Sequence, residues 1–187
     1  MVNIVKKEDY KEVAAAYKRG SVQYYTLNII LRAENDMYAV LSRTYDHEPT
    51  QEDKTALYSD HLDLCKKSKI SEIEQYDKSD SVNAFFVNDH LLWKDRHDRD
   101  NLSYSTTKEM ESGKAETVLW ADPVHGLKFT IPCEAALEML RAVELYAKAC
   151  FNRTAEHIFN VSQLATVEDV ENYDYTTGYP EKLRFEV

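Results

Sequence analysis

The sequence predicts an α+β fold: several helices, one of them long and C-terminal, combined with small antiparallel β-hairpins and no parallel sheet. Three observations predict it. Apolar residues recur at steps of three and four for about thirty residues from Cys133. Two short apolar runs fold over turn residues, at Asn88-Asp89 and at Asp122-Pro123 with His125-Gly126. Apolar residues make up 43% of the 187, enough for a core.

From the N-terminus, Tyr10, Val13, Ala14 and Tyr17 fall at i, i+3, i+4 and i+7, which predicts a helix over 7–19 stopped by Gly20. VQYYTLNIILR (22–32) is rich in β-branched and aromatic residues and predicts a strand. AEND is a turn, after which MYAVLSRTY returns as a strand, with a helix as the alternative. Thr50 is an N-cap, with Glu52 and Asp53 complementing the dipole of a helix that runs to about Lys67. Leu57, His61, Leu64 and Cys65 form its less polar stripe. Ser68 is read as the cap of a further short helix.

AFFVNDHLLW (84–93) predicts a hairpin, and KDRHDRDNL leads into a helix over 98–111. TVLWADPVHGLKFTI (117–131) predicts a second hairpin, sharing one sheet with the first and packing on the long helix. That helix begins after Pro132 and runs to about Leu164. Its uncharged seam is Ala136, Leu140, Val143, Ala147, Cys150, Thr154, Ile158, Val161 and Ala165. At 1.5 Å per residue it measures about 45–50 Å, long enough to dock other helices or a neighbouring subunit as well as its own chain. A break near Asn152 is the alternative to one continuous helix. A short helix in ATVEDVENYD and an extended, aromatic tail close the chain.

One phrase occurs twice, as Glu72-Ile73-Glu74-Gln75-Tyr76-Asp77 and as Asp169-Val170-Glu171-Asn172-Tyr173-Asp174. Ser68 and Thr166 stand upstream of the two copies. Each copy reads as a capped two-turn helix whose aliphatic residue and tyrosine share a face. Its aspartate then accepts backbone N–H groups at the exit in an Asx-type turn.

The net charge of −10 lacks the basic footprint that nucleic acid or an anionic membrane requires. No stretch approaches 18 uncharged apolar residues, and MVNIVKKEDYKEV has no signal-peptide core. Three cysteines at 65, 133 and 150 are too few and too far apart for a disulfide framework, which indicates a reducing compartment during synthesis. The six histidines form no HExxH, HxH or His-Cys motif, and no P-loop, GxGxxG or GxSxG occurs. His90, Asp95, His97, Asp98 and Asp100 read as a solvated loop and helix start, with a divalent-cation site as the alternative. The expectation is therefore a chain that is not an enzyme and needs no cofactor or metal.

The succession from about Lys69 to Val187 resembles an uncharacterised domain family of phages and prophages whose members lie among tail-fibre genes. The residues that carry the resemblance are the hairpin ending near Trp93 with Asp95 and Arg96, then Trp120 with Gly126-Leu127 and Thr130. They continue with Tyr146-Ala147 and Ala149-Cys150-Phe151-Asn152, and close with Tyr173-Asp174 and Gly178-Tyr179-Pro180. The resemblance covers 69–187, a tail-associated domain, while residues 1–68 fall outside it and are read as a separate attachment region. It implies a virion or tail-fibre assembly protein, located in the particle or in the host cytoplasm during assembly. The implied partners are other tail proteins and further copies of itself. A carbohydrate- or receptor-binding module at a fibre is the alternative. The structural and interface candidates are Tyr76, Asp77, Trp93, Trp120, Leu140, Val143, Ala147, Cys150, Tyr173, Asp174 and Tyr179.

Overall fold

The computed structural model describes residues 2–92 and 94–187. The chain forms two compact units, one holding the residues up to Ile70 with Asn160–Tyr173, the other Ser71–Phe159 with Asp174–Val187. The long helices α1 (Gln51–Asp77) and α4 (Cys133–Gln163) are divided between them.

The first unit is built on an antiparallel sheet of β1 (Val2–Lys6), β2 (Val13–Arg19), β3 (Val22–Glu34) and β4 (Met37–Tyr45), in the order β1-β4-β3-β2. The helix expected over 7–19 is absent. Only one 3-10 turn forms, at Lys7–Asp9, and residues 13–19 are strand β2. The same Val13 that marks a helical face also pairs across the ladder with Leu27 on β3, and that pairing overrides the helix propensity of Ala14–Ala16. MYAVLSRTY is a strand, joined to β3 by a turn in which Asn35 takes φ +47°. Leu27, Ile29 and Leu41 on one sheet face pack with Leu57 of α1. Over the other face, the 7–12 connection lays the Tyr10 ring against Tyr38 and donates its hydroxyl to the Asn28 carbonyl at 3.0 Å.

Thr50 caps α1 as expected: its hydroxyl accepts from Asp53 N–H while the Asp53 carboxylate accepts from Thr50 N–H, a reciprocal box. The helix does not stop at Lys67. It is continuous for 27 residues, and Ser68 lies inside it instead of capping a second helix. No Gly or Pro interrupts residues 51–77, so nothing in the backbone ends the helix there. In the same unit Thr166 caps α5 (Val167–Glu171), accepting from Asp169 N–H at 3.1 Å. Glu171 pairs with Arg32 at 3.1 Å.

The second unit contains α2 (Asp80–Asn83), the hairpin β5 (Phe85–Val87) and β6 (His90–Leu92), α3 (Arg96–Glu111), the hairpin β7 (Glu116–Asp122) and β8 (Leu127–Pro132), and β9 (Arg184–Phe185). Both expected hairpins are present, and Asn88 and Asp89 adopt positive φ in the first. They lie in separate sheets, not one. A parallel pair also occurs, against expectation: β9 joins β5, with Phe86 N–H donating to Leu183 O and Asn88 N–H to Phe185 O, both at 2.9 Å. The free edge of β5 is thereby closed by the tail. Phe85, Val87, Leu92, Leu119 and Ile131 of the hairpins bury themselves against Ala136, Met139 and Val143 of α4. That helix is unbroken at Asn152. Among the described residues no helix is long and apolar enough to cross a membrane.

Candidate functional site

Most of the expected interface seam on α4 is turned into the chain itself. Leu140, Val143 and Cys150 are buried, and Ala147 is half-buried. The three buried residues therefore serve the interior of the second unit, while Ala147 lines a surface pocket.

Tyr76, Asp77, Cys150 and Tyr179 do come together, in a polar knot that ties the tail to α4. Thr154 Oγ1 donates to Asp77 Oδ1 at 2.7 Å, so Tyr179 donates its hydroxyl to Thr154 Oγ1, 3.0 Å away. The Asp77 carboxylate thus meets a side chain, not the backbone N–H expected of it. Asp174, by contrast, accepts from Thr176 N–H at 2.8 Å in the expected Asx geometry. The buried Tyr146 hydroxyl donates to Val82 O, which also accepts from Cys150 Sγ at 3.7 Å. Burial raises the pKa of both the Tyr146 phenol and the Cys150 thiol. Cys150 is therefore a protonated, fully buried thiol and not a nucleophile. The Tyr76 ring meets Tyr175 and Tyr179 edge-on at 5.6 and 5.7 Å. His157, fully buried, donates its Nε2–H to Thr177 O at 3.0 Å, and burial lowers its pKa. Arg153 Nε donates to the same carbonyl at 3.1 Å. Ile73 and Val170, the aliphatic residues of the repeated phrase, are both buried, and Tyr173 is half-buried.

The histidine–aspartate run does not converge. Asp95 Oδ1 accepts from Asp98 N–H and caps α3, Asp100 pairs with Arg96 at 3.9 Å, and His97 faces Asn101 at 3.0 Å. Among the described residues no group of three His, Cys, Asp or Glu is placed to hold a metal ion.

Two surface concavities flank α3. On one side, strand alternation in β7 turns Thr117 and Leu119 inward and Val118 and Trp120 outward. Trp120 is 43% exposed, with Lys128 Nζ 5.3 Å from its ring. Tyr104 of α3, 68% exposed, faces the same groove of about 470 Å³, whose floor includes Leu102 and Leu119. On the other side, α3 and α4 frame a second pocket of about 420 Å³. Sequence reasoning singled out Trp120 and missed Tyr104, which a solvent-facing helix position does not distinguish from any other tyrosine. Trp93 lies outside the described residues.

Comparison with protein-family models, curated proteins and solved structures finds no match to this chain.

Proposed function

We propose that the protein is a phage virion or tail-associated protein, structural or assisting tail-fibre assembly, that acts through protein–protein contacts. The observation that carries the proposal is the outward aromatic face of the second unit, where Tyr104, Val118 and Trp120 stand exposed around a groove. Exposed aromatic residues beside a groove are the anchors on which protein interfaces concentrate their affinity. The family resemblance over 69–187 supplies the context. The N-terminal sheet is the attachment part of the proposal: β1 and β2 form its two edges, and Val2 and Ile4 on β1 are exposed. Peptide mass spectrometry of purified particles against lysate tests this reading. A fixed copy number relative to a known tail protein makes the chain a component, and association with fibre subunits in the lysate alone makes it an assembly factor. A chain found with neither refutes the proposal.

The exposed Trp120 indole also favours a second reading, a carbohydrate- or receptor-binding module at a fibre. Tryptophan fluorescence titration with host surface glycans separates the two.

A further inference from the structure

We infer that the pocket between α3 and α4 binds an acidic saccharide. The pocket shares Lys94 with the Trp120 groove and is otherwise lined by different residues, and the inference is independent of the tail-associated reading. Its volume of about 420 Å³ falls within the range of small-ligand sites.

The charge of the lining decides the ligand. In a chain of net charge −10, five cationic side chains gather here against three acidic ones. Each acid is already engaged. Asp77 accepts from Thr154, Asp95 caps α3, and Glu144 accepts from Arg99 at 3.1 Å. Arg99, almost wholly buried, is committed in turn to Glu144 and to the Lys94 carbonyl at 2.7 Å. The ammonium groups of Lys78, Lys94 and Lys148 form no ion pair among the described residues. Three like charges around one concavity repel each other, and an anion entering it relieves that repulsion.

The rest of the wall selects a ring compound that carries hydroxyls. Phe151, 57% exposed, offers its ring beside Ala147, with Lys148 Nζ 5.2 Å from the centroid. A sugar ring packed against Phe151 would bring an acidic substituent within reach of the Lys148 ammonium. The second oxygens of Asp77 and Asp95 remain as acceptors for hydroxyl donors. They disfavour the two competing classes of anion. A nucleotide would bring its phosphates toward the start of α3, where the Asp95 carboxylate already sits. A glutamate-rich peptide has no hydroxyls to donate to those acceptors.

The test is calorimetric titration of the full chain with a trimer of galacturonic acid, alongside neutral galactotriose, ATP and a hexaglutamate peptide. The acidic trimer is expected to bind, with a Kd that rises with sodium chloride. K78Q/K94Q/K148Q should weaken it at least tenfold, and F151A severalfold without changing the salt dependence. K114Q, outside the pocket, should have no effect. Lys78→Glu alone, on an exposed residue, provides the charge test if the triple variant does not fold. Absence of binding to the acidic trimer, equal binding of galactotriose, or preference for ATP or the peptide would each overturn the inference.

Discussion

Replacing Gly178 by alanine tests how the tail is held. Gly178 has φ +78°, a left-handed conformation that costs an L residue about 1 kcal/mol or somewhat more. A Cβ there would lie 2.5 Å from Arg153 Nε, so the guanidinium must move. Its bond to Thr177 O is then lost, a further cost of about 1 kcal/mol at this partly exposed site. Together these give a destabilisation of roughly 2–3 kcal/mol, or a Tm lower by about 5–10 °C for a chain of this size. Differential scanning calorimetry measures it, and a double-mutant cycle apportions it. In an Arg153→Ala background the added methyl has room, and Gly178→Ala should cost only the backbone part, about 1 kcal/mol. An equal loss in both backgrounds, or no loss in the wild type, would refute the Arg153–Gly178 packing.

Other expectations follow from the same contacts. His157 has a folded-state pKa below its unfolded value, so its contribution to stability is complete above about pH 6.5 and lost as the pH falls through the lower folded value. The urea midpoint should therefore drop between pH 7 and 5 less steeply in His157→Gln, while half-buried His61, shifted in the same direction, keeps a remaining slope. Thr166→Ala removes the cap of α5 and should cost about 1 kcal/mol in urea unfolding. Tyr146→Phe removes the buried hydroxyl bond to Val82 O, costing about 1 kcal/mol by the same assay, and leaves the outward aromatic face intact.

The parts of the fold written locally were legible in the sequence. Asn88-Asp89 set the first hairpin, Thr50 and Thr166 cap their helices, and the three-four recurrence from Ala136 to Val161 marks the buried side of α4. What depended on distant partners was not legible. Residues 13–19 carry a spacing that satisfies a helix, and only pairing with β3 makes them a strand. The two-residue strand β9 finds β5 almost a hundred positions away, and no local pattern announces so short a pairing. Ser68 resembles a cap, yet the chain around it has no reason to leave the helix. At the surface, alternation in β7 exposes Trp120, so that residue was legible. Lys78, Lys94, Lys148 and Phe151 are scattered over more than seventy positions and read singly as solvated side chains until the fold gathers them.

The central claim is that the chain works by docking its outward aromatic face on other tail proteins. The most direct measurement is quantitative mass spectrometry of particles and tail subassemblies, separated by sedimentation, from strains carrying the wild-type chain or Y104S/W120S. The wild-type chain should co-sediment with tail proteins at a fixed ratio, and the variant, folded by circular dichroism, should fall at least tenfold in those fractions. Equal co-sedimentation of both would contradict the proposed face, and a wild-type chain found only as free protein would contradict the claim itself.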